Sequence, residues 1–213
     1  KKRTERIVFE NVQILDAGAK GVSVAKAPDG KVIFIPNVVP GDVADIQTMK
    51  KRKAFYEGKA IKIHAFSEHR TEPVCEHFGV CGGCKWQNMK YSQQLHYKHN
   101  EVYNNLKRIG KIEMPEFEPI LGSEKQFFYR NKMEFGFSST RWMTPEEVAS
   151  GAELDNKNAV GFHIPRMWDK ILDITTCHLQ EDPSNDIRNE IRRFANENNL
   201  SFYNPRTNEG LLR

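Results

Sequence analysis

The sequence predicts a mainly β protein with a smaller helical part, an α+β arrangement. An N-terminal five-stranded OB-like barrel over residues 1–67 is followed by a β-rich domain over 68–213 that carries two helices. Three observations predict this. Short apolar-alternating runs punctuated by Gly and Pro fill residues 7–66, a single helical period spans Tyr91 to Ile109, and strand-like runs return after Pro115.

Ile7, Phe9, Val12 and Ile14 alternate loosely until Asp16-Ala17-Gly18 breaks the run. Gly21-Val22-Ser23-Val24 leads to a turn at Pro28-Asp29-Gly30. Val32-Ile33-Phe34-Ile35 follows and is stopped by Pro36-Asn37. Pro40-Gly41-Asp42 opens Val43-Ala44-Asp45-Ile46, and Ala60-Ile61-Lys62-Ile63 is the last strand. Five short strands in about sixty residues suit a small closed barrel, OB-like first and SH3-like second. Glu68-His69-Arg70-Thr71-Glu72-Pro73 reads as a polar linker. Beyond it Tyr91, Leu95, Val102, Leu106 and Ile109 share one face of a helix over 88–109 that closes at Gly110. Strands are predicted at Phe117–Leu121, Phe127–Phe137, Val160–Ile164 and Ile171–Ile174. A last helix, capped by Ser184, is predicted to bury Ile187, Ile191 and Phe194.

At 38% hydrophobic and 28% charged the chain can bury a core, and no apolar run reaches the length of a membrane span. The N-terminal Lys1-Lys2-Arg3-Thr4-Glu5-Arg6 has no apolar stretch behind it, so it does not read as a signal peptide, and a cytoplasmic protein is expected. The net charge of +4 is unevenly spread: residues 1–70 hold 14 Lys and Arg against 8 Asp and Glu. A basic N-terminal module on a near-neutral body suits a polyanion. Lys50, Lys51, Arg52 and Lys53, between the fourth and fifth strands and followed by Phe55 and Tyr56, place cations beside aromatics, as RNA-binding surfaces do.

The four cysteines form the most specific pattern. Three fall within ten residues, as Cys75-x5-Cys81-Gly82-Gly83-Cys84, and Cys177 stands alone. That grouping suits ligation better than a disulfide framework. Four soft thiolates fit either tetrahedral zinc or a cubane with one cysteine per iron. Structural zinc usually draws on two paired knuckles, whereas three ligands plus one remote ligand suit an iron–sulfur cluster. Zinc, with His77 or His178 replacing a thiolate, is the alternative. A redox dithiol at Cys81 and Cys84 lacks the preceding βα crossover.

These residues resemble a known family. Pro73-x-Cys75-x5-Cys81-Gly82-Gly83-Cys84-x-Trp86-Gln87, then Tyr91-x2-Gln94-Leu95-x2-Lys98, is similar to the iron–sulfur RNA (uracil-5-)-methyltransferases of the branch that acts on 23S ribosomal RNA. Tyr129-Arg130-Asn131-Lys132, Gly161-Phe162, Asp173-x3-Cys177-x-Leu179 and Asn208-Glu209-Gly210-Leu211-Leu212-Arg213 agree in order. The resemblance implies that the barrel is a TRAM domain, that residues 68–213 are the iron–sulfur central domain, and that Cys75, Cys81, Cys84 and Cys177 bind a [4Fe-4S] cluster. It also implies the reaction. A cysteine thiolate adds to uracil C6, C5 attacks the methyl of S-adenosyl-L-methionine, and a base removes the C5 proton. With every cysteine matched to the cluster and no GxGxxG-type loop in the sequence, the nucleophile, the base and the S-adenosyl-L-methionine domain are expected beyond Arg213. This stretch alone is then inactive.

Radical S-adenosylmethionine enzymes with a similar barrel space their triplet Cx3Cx2C, and the first gap here is five. Lys85 and Trp86 directly after the cluster motif, and Arg130 and Lys132 on one face of a predicted strand, are further candidates for RNA contact. The apolar helix face is expected to pack on the absent domain, and therefore to drive self-association when that domain is missing. The non-enzymatic alternative is a zinc-stabilised RNA-binding module.

Overall fold

The structure, a computed structural model, describes residues 6–151 and 156–213. The side chain of Lys51 and the N-terminal Lys1-Lys2-Arg3 lie outside the described residues. The chain divides into two compact units, Lys1–Pro73 with Lys85–Glu124, and Val74–Cys84 with Lys125–Arg213.

In the first unit β1 (Val8–Ala17), β2 (Ser23–Lys26), β3 (Val32–Ile35), β4 (Val43–Lys51) and β5 (Phe55–Ala65) close into a barrel of order β1-β2-β3-β5-β4. Five strands are present as predicted, but β1 runs on through Asp16 and Ala17, and β4 and β5 extend beyond Val43–Ile46 and Ala60–Ile63, so that Lys50 and Lys51 lie on β4 and Phe55 and Tyr56 on β5. β3 and β5 pair in parallel, and β1 closes the ring against β4. Side chains alternate across a strand, so Ile14, Ala25, Ile33, Ile35, Ala44 and Ile46 all point inward and are buried. Register shifts in β1, β4 and β5 supply the bends that so small a barrel requires.

One buried carboxylate organises the barrel's connections. Asp42 is fully buried and accepts the Val39 N–H (2.7 Å) and the Ser67 N–H (2.9 Å). Arg70 donates to it as a fork, from Nε at 2.8 Å and Nη2 at 2.7 Å. The linker after β5 is thereby tied back to the turn before β4.

α1 (Tyr91–Asn104) continues through one wider turn, Asn105–Ile109, so the predicted helix is present. None of its residues is fully buried, and Val102 and Ile109 are exposed. The strand predicted at Phe117–Leu121 is absent. Residues 111–123 run back along α1, with Phe117 edge-on to His99 and Tyr103 (4.7 and 5.5 Å between centroids). The Ser123 N–H donates to the Tyr91 hydroxyl at 2.7 Å. Phe117 packs on the helix while Ile112, Ile120 and Leu121 are exposed, and the segment forms no ladder.

In the second unit β6 (Gly136–Ser138), β7 (Ala159–His163) and β8 (Ile171–Asp173) form an antiparallel sheet of that order. The strand predicted over Phe127–Phe137 is reduced to its last two residues, which begin β6. Phe128 adopts a left-handed conformation (φ 55°), unusual for a bulky residue in a regular strand, and the Phe128 and Arg130 N–H groups donate to the His178 and Leu179 carbonyls. A short helix not foreseen, α2 (Pro145–Ala149), starts at a Thr144/Glu147 capping box.

α3 (Ser184–Glu197) lies where expected but turns the other face inward. Ile187, Ile191 and Phe194 are exposed, whereas Arg188 and Ala195 are buried and Arg192 is largely so. The inward arginines donate to backbone carbonyls, Arg188 Nε and Arg192 Nη1 both to Ile174. Nor does Ser184 cap the helix: its hydroxyl donates to Gln180 Oε1.

Gly161 sits at the centre of this sheet, where a Cβ would land on the Leu172 carbonyl oxygen and lie 3.0 Å from Ile174 Cγ1. Gly161→Ala is expected to cost about 3 kcal/mol, the upper range for overpacking. An unchanged denaturant midpoint would mean that β7 and β8 part around a methyl group without loss.

Candidate metal centre

Cys75, Cys81, Cys84 and Cys177 all belong to the second unit, and all four are half-buried. The first three are carried on a run of tight turns. The Phe78 N–H donates to the Cys75 carbonyl, and the Val80 and Cys81 N–H groups share the His77 carbonyl. Gly79 takes the positive φ (87°) that turns the chain back. Gly82 lies where a Cβ would stand 3.1 Å from the His163 carbonyl, so a side chain there would crowd the end of β7. The Gly83 N–H donates to Cys81 Sγ at 3.4 Å, as expected of a glycine beside a thiolate ligand.

Cys177 arrives from the other direction, four residues after β8. Its N–H donates to Asn185 Oδ1 (2.8 Å), and Asn185 Nδ2 donates back to its carbonyl (3.3 Å). Cys81 and Cys177 both pack on the apolar cluster of Ile164, Leu172 and Ile174, with Trp142 and Phe162 beside them.

The thiols sense one another. Burial pushes Cys75 and Cys81 above the ordinary thiol range, and charge on Cys84 and Cys177 pushes both further. Backbone N–H groups of His77 and Gly83 act in the opposite direction. Four thiols gathered this way repel as thiolates, and a cation among them reverses the balance. Among the described residues, however, no three His, Cys, Asp or Glu side chains form a group that could hold a metal ion as they stand. One tetrahedral ion at about 2.3 Å from each sulfur requires thiolates roughly 4 Å apart. A cubane takes one thiolate per iron and sets them wider. Four soft thiolates are a donor set that either zinc or an iron–sulfur cluster accepts. His77 Nε2 lies 3.4 Å from the Glu76 carboxylate, and the His178 ring lies edge-on to Phe127 and Phe128.

The candidate RNA-contact residues are distributed over both units. Lys50 ends β4 with Lys51, and Arg52 and Lys53 occupy the turn into β5. The side chains of Lys50, Arg52 and Lys53 are exposed. The two aromatics beside them are not free to stack on a base. Tyr56 is buried in the barrel core and donates to Asp29 Oδ2 at 2.8 Å, and Phe55 stands edge-on to Phe34. Asp29, shared with Lys31, is lowered to about 2 chiefly by those two hydrogen bonds. Lys85 is exposed and Trp86 half-buried, both packed over Gly21, whose lack of a Cβ leaves room for them: one there would land on Lys85 Cβ. Trp86 Nε1 finds no hydrogen-bond partner among the described residues. Arg130 and Lys132 are exposed but stand on an irregular segment, not on a strand, and Lys132 pairs with Glu134 at 2.8 Å.

Sequence reasoning missed Asn185 and Arg188, which hold the Cys177 loop, and Asp42, which holds the linker. A lone Asn or Arg at a helix start carries no spacing signal. Asp42 shows only as part of Pro40-Gly41-Asp42, a turn.

No family model matches the sequence. Over nearly its full length, however, the chain is similar to proteins named RNA methyltransferases. One, from Bacteroides thetaiotaomicron, is 54% identical over 92% of this chain and 43% of its own length. Another, from Porphyromonas gingivalis, is 42% identical over 95% of this chain and 44% of its own. The chain thus spans less than half the length of these curated relatives. Among solved structures, the tRNA (uracil-54, C5)-methyltransferase of Pyrococcus abyssi, in complex with S-adenosyl-L-homocysteine, matches with a TM-score of 0.56. At 22% identity, over 93% of this chain and 40% of that one, this is a likeness of fold. No helix among the described residues is long and apolar enough to cross a membrane.

Proposed function

We propose that this chain is the RNA-recognition and [4Fe-4S]-bearing part of a cytoplasmic, S-adenosyl-L-methionine-dependent methyltransferase that methylates C5 of a uridine in 23S ribosomal RNA. The barrel is its TRAM domain and the cysteine-bearing unit its iron–sulfur domain. The observation that carries this reading is the gathering of Cys75, Cys81, Cys84 and Cys177 in one unit. A sequence likeness to proteins named RNA methyltransferases stands beside it. The nucleophile, the base and the S-adenosyl-L-methionine site belong to the part of such proteins that this chain does not span.

When bound, the cluster supplies a cross-link, since four cysteines leave no iron open to substrate. The chain's own residues do the rest. The Gly83 N–H steadies Cys81, and Asn185 fixes the Cys177 backbone from both sides. Lys50, Lys51, Arg52 and Lys53 at the β4–β5 turn, with Lys85, Trp86, Arg130 and Lys132, contact RNA chiefly through phosphates, which position it without reading sequence. The exposed apolar residues of α1 are covered in the whole protein and associate when they are not.

The deciding experiment measures iron, zinc and acid-labile sulfide on protein purified without oxygen. Iron and sulfide in cubane proportion with a brown chromophore support the proposal. One zinc and no sulfide would replace it with the zinc-stabilised RNA-binding module.

A further inference from the structure

Arg188 is the best-buried arginine of the second unit, and its surroundings are unusual for a cation. It is 4% exposed, with its guanidinium 4.8 Å above the Phe135 ring. Nε donates to the Ile174 carbonyl (3.1 Å), and Nη2 donates to the Thr175 carbonyl (2.6 Å) and to Asn185 Oδ1 (2.9 Å). Nη1 is buried and has no acceptor among the described residues. Nor does any described carboxylate stand at ion-pair distance, because the nearby Asp173 is taken by Arg192. A buried guanidinium with no carboxylate at ion-pair distance among the described residues, and a buried cationic N–H without an acceptor, both require a reason.

The bonds Arg188 does make converge on one place. Ile174, Thr175 and Asn185 frame the loop that delivers Cys177, and Asn185 grips the Cys177 backbone at both its N–H and its carbonyl. Among the charges acting on Arg188, a thiolate at Cys177 is the foremost that favours its protonated form. Burial is the largest influence and opposes it, and the Asp173 and Asp182 carboxylates act in the same direction as Cys177 but more weakly.

We infer that Arg188 is a positioning residue of the metal centre: through Asn185 and the Ile174 and Thr175 carbonyls it fixes the Cys177 thiolate, and its unpaired charge is the protein's counter-charge to an anionic cluster. The inference rests on the iron–sulfur reading of the four cysteines. A cubane with four thiolate ligands carries net negative charge, and gains more on reduction. A fixed cation beside one ligand therefore holds the cluster in place and eases its reduction. The geometry separates the two effects. Lysine at 188 keeps the charge and loses the fork, methionine loses both, and Asn185→Asp leaves Arg188 intact while placing a carboxylate against it.

The test is a potentiometric titration, followed by visible absorbance, together with the rate of iron release to a chelator, on protein purified without oxygen. Wild type is measured first. Arg188→Met is expected to weaken the preference for the reduced cluster roughly tenfold, the order of a screened unit charge at short range. For a one-electron couple that is a fall of about 59 mV. Arg188→Lys should hold the wild-type potential but release iron faster. Asn185→Asp should lower the potential as Arg188→Met does, and it carries the test if the latter does not fold. Equal potentials and equal release rates in wild type, Arg188→Met and Asn185→Asp would overturn the inference and leave the cluster standing. Wild type without iron and sulfide would overturn both.

Discussion

Under the proposed cluster, Cys177→Ser is expected to empty the centre and to loosen the second unit as a body. The thiol at 177 is the only one of the four that comes from beyond the sheet; the other three lie within ten residues of one another. A centre closed by Cys177 fastens residues 75–84 to the loop after β8, closing about a hundred residues of chain. A disulfide spanning such a loop contributes about 4–5 kcal/mol by restricting the unfolded chain, and a cluster restricts it in the same way. For a unit of this size that corresponds to a melting temperature lower by more than about 10 °C. Stripping iron from the wild type with a chelator should reproduce the loss, and stripping should have no effect on the variant. A melting temperature unchanged after the cluster is gone would end the cross-link account.

Asp42→Ala is the substitution expected to harm the barrel most. It removes a fully buried carboxylate that holds two backbone N–H groups and the fork of Arg70, and leaves those donors facing an apolar methyl. Breaking a buried pair from one side costs about 3–5 kcal/mol. Arg70 is partly exposed and can turn to water, which places the estimate at the lower end. Asp42→Asn keeps one acceptor oxygen and should cost less. The check is the urea midpoint, with amide exchange in β4 and β5 to localise the loss. A cost under about 1 kcal/mol would show that water replaces the carboxylate.

The barrel was legible because its turns are written in residues with restricted or extended backbone choice: Pro28-Asp29-Gly30, Pro36-Asn37 and Pro40-Gly41 leave a strand nowhere else to end. The cysteines stand out in the sequence because few roles other than ligation group three thiols within ten residues, and ligation is the role proposed for them. What could not be read is where an apolar run makes its backbone bonds. Phe127–Phe137 has strand composition, yet Phe128 is left-handed and the run hangs from the 178–179 backbone. The inward face of α3 was misread because hydrophobic periodicity takes isoleucine as the buried choice. Here the carbonyls of Ile174 and Thr175 needed donors, and arginine supplies them. The pairing of Asp42 with Arg70 depends on the barrel having closed, which no local pattern records.

The separation of Cys177 from the other thiols also bears on synthesis. Cys84 and Cys177 are 93 residues apart. At a ribosome's pace of about 5–20 residues per second, the first three thiols emerge some 5–20 seconds before the fourth emerges. Over that interval the nascent chain presents an incomplete triplet, open to oxidation or to capture of a passing soft metal. Loading of the proposed site can be completed only after translation of Cys177.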